Sequence, residues 1–423
     1  MKALWFCNTA AAGEQFLNAN GIGGGWLESL DRQLQEHADL HIAFYYPYKL
    51  NRFNYGKTSY YPIYDGSFLW NTFKKIFIVS EKDGQDIHKY TDIIEQVKPD
   101  VIHIHGTENP FGCILGKVNV PVVVSIQGNI TVCHHKYFSG IEKKYLSAKV
   151  FNGSWKDILL SKNFSYSYKT FAKKKQIELK NLKKTTCLIG RTSWDKRITG
   201  IMAPDAVYFH VDEILRDSFY ENQWQAPSHP QGKLIVHTTC GNSYFKGFET
   251  LCLALNELNK LHYDVEWRVA GVSEKSLIYK IVKRKLKKDF PEKGLALLGL
   301  LSEKELINSM QQSNIYVAPS HIENSSNSLC EAMLMGMPCI ATFAGGTGSL
   351  LKDGEEGLLI QDGDPWAMAG AVLELWNNKE QAIVMGDNAR RRSLHRHDKS
   401  RIVDELLETY HSIINDFNQN QNK

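Results

Sequence analysis

The sequence predicts an α/β protein of two doubly wound parallel-sheet domains in tandem, and three observations carry that prediction. Short apolar runs alternate with amphipathic helical segments along most of the chain, the pattern of parallel strands joined by helical crossovers. The scheme occurs twice, separated by Glu221–Gly232, where Gln, Pro, Ser, His and Gly cluster. The 423 residues also exceed what one ordinary hydrophobic core accommodates.

In the first half, Lys2–Asn8 reads as a buried strand, followed by a loop containing Gly21–Gly25 and an amphipathic helix through Gln35. His41–Tyr46 is the next strand, and the aromatic-rich Asn51–Tyr64 reads as a hairpin or excursion. Ile87–Val97 has helical spacing and ends at Lys98-Pro-Asp. Val101–His105 and Pro121–Ile126 are strands of the near-continuous apolar kind found in parallel sheets. After a long basic insert, Cys187–Ile189 returns to strand.

The second half is cleaner. Strands are expected at Leu234–Thr238, Trp267–Ala270, Leu295–Leu298, Ile315–Ala318, Cys339–Thr342 and Gly357–Ile360. Helices are expected at Gly247–Leu261, at Ser302–Ser313 with Ser302 and Glu305 as a capping box, and at Asn327–Met335, stopped by Gly336 with Pro338 beyond. A Gly-rich turn falls at Gly345-Gly346. In Lys399–Phe417, Ile402, Leu406, Leu407, Tyr410 and Ile413 define one amphipathic helix.

Composition narrows the function class. No run of about 18 apolar residues is present, and the apolar start of the chain is too short for a signal-peptide core, so a cytoplasmic location is expected. The eight cysteines show no C-x-x-C spacing, which argues against a zinc site or disulfide framework; Cys133-His134-His135 reads as a loop without metal function. Between Ser139 and Lys184, twelve lysines face three acids, a local excess of nine positive charges with aromatic residues interleaved. A second basic run holds Lys283, Arg284, Lys285 and Lys287. Solvated helix faces are the simplest account. A surface resting on anionic lipid headgroups at the inner membrane face is the sharper expectation, through residues 139–184. No nucleic-acid recognition module accompanies the charge, so no nucleic acid is expected as partner.

The chemistry concentrates after the Ile315–Ala318 strand. Ligands of doubly wound sheets bind beyond the carboxyl ends of strands. There a loop presents Glu323, a helix starts near Asn327, and Glu331 lies about one turn inside it. Free amides and the positive dipole end at that helix start suit a diphosphate, and Ser325 or Ser326 can cap it. Two glutamates eight apart mean little alone. The setting of strand, Pro-Ser, loop Glu, helix start, second Glu and Gly-x-Pro gives them meaning.

This segment, with Glu-x₇-Glu and Glu331-Ala-Met-Leu-Met-Gly-Met-Pro338, resembles the family 4 retaining glycosyltransferases of the GT-B fold. The likeness is strongest over about 234–364. It implies two Rossmann-like doubly wound domains facing a central cleft: residues 1–220 on the acceptor side, a linker at 221–232, a nucleotide-sugar-binding domain at 233–395, and a C-terminal helix at 396–423 crossing back to the first domain. It also implies roles. Glu323 would hold hydroxyls of the donor sugar, Glu331 the ribose, and amides around Ser326 and Asn327 the diphosphate. Lys246, before Gly247, would neutralise the leaving diphosphate, so Glu323 and Lys246 are the catalytic candidates. Gly23, Gly24 and Gly25 match the family's N-terminal glycine loop.

Two positions depart from the family pattern. Asn242 follows Gly241 where an arginine is usual, and Arg191 in Gly190-Arg-Thr-Ser-Trp194 is a candidate replacement for the missing charge. Gln127 stands where many members have histidine. His105, ending its strand, reads either as a cleft residue or as a buried histidine satisfied by backbone. Asp362-Gly-Asp364 spells a metal-binding acidic pair, but Asp364 precedes Pro365 and a helix, so an N-cap explains it better. No metal and no cofactor are expected beyond the nucleotide diphosphate sugar as co-substrate. The expected reaction is sugar transfer from that donor to a saccharide or lipid-linked acceptor with retention, in bacterial surface-polysaccharide synthesis. A nucleotide-sugar 2-epimerase and a non-catalytic glycan- or nucleotide-sugar-binding protein are the alternatives. The first needs acid and base groups that no set here supplies, and the second should have lost Lys246 or a glutamate.

Overall fold

A computed structural model describes residues 1–17, 25–64, 87–147, 155–228 and 232–421, with backbone alone at 146, 155–157, 160 and 161. Gly23 and Gly24 lie outside the described residues; Gly25 lies within them. The first sheet contains β1 (Lys2–Cys7), β2 (Asp39–Tyr46), β3 (Phe53–Tyr55), β4 (Thr58–Tyr64), β5 (Val101–His105), β6 (Val122–Ser125), β7 (Cys187–Gly190) and β8 (Val207–His210). Their order is β3-β4-β2-β1-β5-β6-β7-β8, all parallel except the β3–β4 hairpin. β8 went unread in the sequence because it is an edge strand whose Val207 is exposed, so it carries no buried apolar run.

Alternation along β1 explains why helices cover both faces. Ala3, Trp5 and Cys7 join one core with Leu27, Leu30 and Leu34, while Leu4 and Phe6 join the other with Tyr90, Ile94 and Val97. The C-terminal helix, Lys399–Gln421, adds Ile402, Val403, Leu406, Tyr410 and Ile413 to the first of these cores. Its Tyr410 hydroxyl accepts from Trp5 Nε1 at 2.9 Å and lies 2.5 Å from His103 Nδ1. His103, pushed down to about 3 by burial and then by Arg191, stays neutral in this network.

The second sheet contains β9 (Leu234–Thr239), β10 (Val265–Ala270), β11 (Leu295–Gly299), β12 (Ile315–Ala318), β13 (Cys339–Thr342) and β14 (Leu358–Ile360). All are parallel, in the order β11-β10-β9-β12-β13-β14. In both sheets the order reverses beside a central strand, between β1 and β5 and between β9 and β12. The predicted helix punctuation holds where its chemistry is local. Ser302 and Glu305 form the capping box, Gly336 ends its helix in the left-handed region (φ 85°), and Asp364 caps the Ala367 amide at 2.9 Å.

The chain divides into two units, Met1–Thr131 with Lys169–Arg216 and His397–Lys423, and Val132–Tyr168 with Asp217–Arg396. This differs from the sequence boundaries twice. Residues 221–228 are no loose linker, because Trp224 donates from Nε1 to Ser313 O (2.7 Å) and from its amide to Met335 O (2.8 Å). Val132–Tyr168 was assigned to the first domain, yet it packs with the second. Tyr137 and Phe164 meet the Tyr244 ring at centroid distances of 5.2 and 4.5 Å, and Lys285 Nζ donates to Gly140 O at 2.8 Å. Cys133-His134-His135 is not a loop either. It ends the short helix Ile130–His135, and His134 stacks on Tyr168.

Candidate active site

The β9–β12 reversal gathers two loops, 240–247 after β9 and 319–326 after β12. Backbone constraints hold them together. Gly247 adopts φ 70° and a Cβ there would overlap the Pro319 carbonyl oxygen, so the lysine loop requires glycine to lie against the glutamate loop. His321 N donates to Phe245 O at 2.8 Å. From the other side Gly346 N donates to Glu323 O at 2.9 Å, and Gly345, at φ 60°, has no room for a Cβ beside that same oxygen. The Gly345-Gly346 turn therefore fixes where Glu323 stands.

Within this frame Lys246 Nζ donates to Glu323 Oε1, and Ser320 Oγ donates to the same oxygen at 2.9 Å. Both charged side chains keep some solvent access, 28% for Lys246 and 16% for Glu323. Burial alone would lower the lysine's pKa, but the Glu323 carboxylate reverses that and raises it, so the ammonium is held charged.

The Asn327–Met335 helix opens onto the same place. Ser326 occupies its N-cap position, but its side chain caps no amide there; its Oγ lies 3.3 Å from Ser328 Oγ instead. Of the two serines that can cap this helix by sequence, Ser325 and Ser326, the second does not use its side chain to do so. Glu331 is buried, 5% exposed, in this helix, close enough to act on the Tyr316 hydroxyl beneath.

The structure thus brings Lys246, Glu323, Ser326, Asn327 and Glu331 into one unit's loop cluster. Asn242 is used differently from expectation: its Oδ1 accepts from Ile278 N at 3.0 Å and caps the Leu277–Leu286 helix. The asparagine at the arginine position thus serves as a tertiary cap on a helix 36 residues further along the chain.

Gly25, Arg191, His105 and Gln127 belong to the first unit. Arg191 is buried, pairs with Glu213 at 3.5 Å and lies over the Trp26 ring at 3.9 Å. Its guanidinium is therefore held by a carboxylate and an aromatic face, as the Lys246 ammonium is held by Glu323. His105 ends β5 at the strand-order reversal and stacks on His103 at 3.7 Å. Burial, then His103 and Arg191, push it well below the usual histidine range, so it is neutral. Neither ring nitrogen has a hydrogen-bond partner among the described residues, contrary to the backbone-satisfied reading. Gln127 follows β6, and its Nε2 is likewise buried without a partner among the described residues.

Sequence reasoning missed Ser320, His321 and Glu249. His321 Nε2 lies 2.6 Å from Glu249 Oε1, both side chains almost fully buried, and its Nδ1 lies 3.4 Å from Asp362 Oδ2. A polar residue third after Lys246 and a histidine two before Glu323 were the available signals.

In the helix Trp155–Leu182, Lys169, Lys173 and Lys180 are exposed, as are Lys183 and Lys184 after it, while Lys174 turns inward toward Glu108. Glu178 is fully buried, accepting from Thr107, Ile130 and Thr131. No helix among the described residues is long and apolar enough to cross a membrane.

Comparison with known proteins is informative once this geometry is in view. Residues 233–378 match the family described as Glycosyl transferases group 1. An uncharacterised glycosyltransferase of Methanocaldococcus jannaschii is 34% identical over 96 residues, 23% of this chain and 27% of that protein. A capsular polysaccharide biosynthesis glycosyltransferase of Staphylococcus aureus is 28% identical over 108 residues, 26% of this chain and 28% of that protein. The matched segment spans about a quarter to a third of the length of the curated relatives. Sucrose-phosphate synthase of Thermosynechococcus elongatus superposes with a TM-score of 0.72 at 13% identity, covering 98% of this chain and 99% of that one. The fold is that of the GT-B glycosyltransferases.

Proposed function

We propose that this chain, which carries at residues 233–378 a domain of the glycosyl transferases group 1 family, transfers a sugar from a nucleotide diphosphate sugar to a saccharide or lipid-linked acceptor. The observation that carries the reading is the Lys246–Glu323 pair standing beside a helix start whose N-cap residue, Ser326, places no side-chain cap on the first turn. Amides of Ser326 and Asn327 and the Lys246 ammonium receive the diphosphate, and their charge stabilises the leaving group as the glycosidic bond breaks. Glu323 accepts from donor-sugar hydroxyls and Glu331 from the ribose. Leaving-group charge is met by Lys246 and amides, which makes the reaction metal-independent. Glu323 accepts from Lys246 and Ser320, which assigns it to holding charge and hydroxyls rather than to nucleophilic attack. Retention, which the likeness to family 4 glycosyltransferases implies, corresponds to attack on the donor face from which the phosphate departs. The likeness to a capsular polysaccharide enzyme supports a role in bacterial surface-polysaccharide synthesis.

A thermal-shift panel of UDP-, GDP- and ADP-sugars tests the donor part. A donor at a hundred times its Kd stabilises the native state by about 2.7 kcal/mol, raising Tm by several degrees. A flat response across the panel refutes the reading.

We further propose that the exposed stripe Lys169, Lys173, Lys180, Lys183 and Lys184 meets anionic lipid at the inner membrane face. Replacing the five by glutamine should abolish co-sedimentation with phosphatidylglycerol vesicles at low salt. Equal sedimentation of wild type and variant overturns it.

A further inference from the structure

The group least explained so far is the buried cluster beneath the Lys246–Glu323 pair. His321 lies between two carboxylates: Glu249, in the first turn of the Phe248–Lys260 helix, faces Nε2 at 2.6 Å, and Asp362, after β14, faces Nδ1 at 3.4 Å. An ionised carboxylate only accepts, and a neutral imidazole donates from one nitrogen only. Glu249 pairs with Nε2, while Asp362 stands at ion-pair distance from Nδ1 without hydrogen-bond geometry, and a second carboxylate charge on that side favours the doubly protonated ring. The surrounding charges agree. Lys136 lies 3.6 Å from Asp362 Oδ2, and Lys285, bonded to Gly140 O, acts on Glu249. Lys246 and Glu323 neutralise each other two residues along the loop. Cys240 and Cys252 also feel Glu249, but burial pushes both thiols up, Cys240 to about 12, so neither adds charge.

Position decides what such an imidazolium does. Glu249 is three residues from Lys246, and His321 is two residues from Glu323. The His321 amide already bonds Phe245 O, so side chain and backbone together tie one loop to the other. Asp362 and Lys136 extend the tie to the segment that leads into the basic insert.

Building on the transferase reading, we propose that His321 is a positioning residue. As an imidazolium bridging Glu249 and Asp362, it clamps the 319–326 loop onto the 240–247 loop, so that Lys246 and Glu323 are preset for the donor and lose that setting when the ring is deprotonated. Burial lowers the ring's pKa, but Glu249 and then Asp362 outweigh it and raise the value, while Glu249 is held below its usual range through His321 despite its burial. With the folded value above the unfolded one, the clamp is complete below the ordinary histidine pKa and is lost as pH rises through the raised one.

The test compares wild type, His321→Gln and Glu249→Gln by nucleotide-sugar titration calorimetry across pH 5.5 to 9, with circular dichroism to confirm folding. His321→Gln keeps a neutral donor but no charge and no second proton. It should bind the donor about tenfold more weakly at pH 6, with a flat profile where wild type declines. Glu249→Gln should weaken binding similarly and move the wild-type decline to lower pH. Wild-type affinity in His321→Gln, or a parallel pH profile, overturns the proposal. Imidazole ¹⁵N shifts supply a readout independent of any donor and of the variants' folding. The His321 ring, assigned by its absence in His321→Gln or by sequential assignment, should carry both protons at pH 6. A neutral tautomer at that pH also overturns the proposal. A chain that binds no nucleotide sugar but shows the imidazolium fails the proposed function and the donor role of the clamp, while keeping the ion bridge itself.

Discussion

Replacing Lys246 by alanine should lower the rate of sugar transfer about 10²- to 10³-fold, the cost of removing one preorganised charge that stabilises a leaving group. Glu323→Gln should cost a comparable factor for a different reason. The glutamine keeps the side chain's shape but leaves the Lys246 ammonium without its counter-charge and offers weaker acceptors to the sugar hydroxyls. Initial-rate measurements at saturating donor, with folding checked by circular dichroism, decide this. The double variant should lose less than the product of the single losses, because the two groups share one hydrogen bond. Full transfer in either single variant refutes the site assignment.

Gly247→Val should be the most damaging single change that touches no charge. The residue sits at φ 70°, and a Cβ meets the Pro319 carbonyl, so relief requires the lysine loop to move off the glutamate loop. Backbone strain of this kind, compounded by β-branching and the clash, costs on the order of 3 kcal/mol. A urea midpoint lowered accordingly, together with loss of the donor-induced thermal shift, is the expected result. Gly241→Ala is the control, since a Cβ there meets nothing and its backbone is not left-handed. Equal stability of the Gly247 variant and wild type contradicts the account of how the loops are held.

How much of this could be read in advance depended on whether the cause was local. Strands such as Val122–Ser125 and Ile315–Ala318 were legible because a strand buried on both faces reads as a near-continuous apolar run. The Ser302–Glu305 box and the Asp364 cap were legible because each is closed by residues three apart. Which use Ser326 makes of its hydroxyl was not legible, because an N-cap serine can turn to a neighbouring side chain instead of an amide. The role of Asn242 was hidden because its partner, Ile278, lies 36 residues away.

The same division applies to the protein as a whole. By itself the sequence determined the element types, the two-fold repetition of the α/β scheme and the spacing of Glu323 and Glu331, since periodicity, capping and turn chemistry act within a few residues. Tertiary structure alone decided the rest. It paired Lys246 with Glu323 across 77 residues, set His321 between Glu249 and Asp362, turned Lys174 and Glu178 inward from a helix that reads as uniformly basic, and grouped Val132–Tyr168 with the second unit. Those outcomes depend on strand order and on which side chains share a buried space, and burial decides the partner and charge state of a polar group in ways that spacing along the chain does not encode.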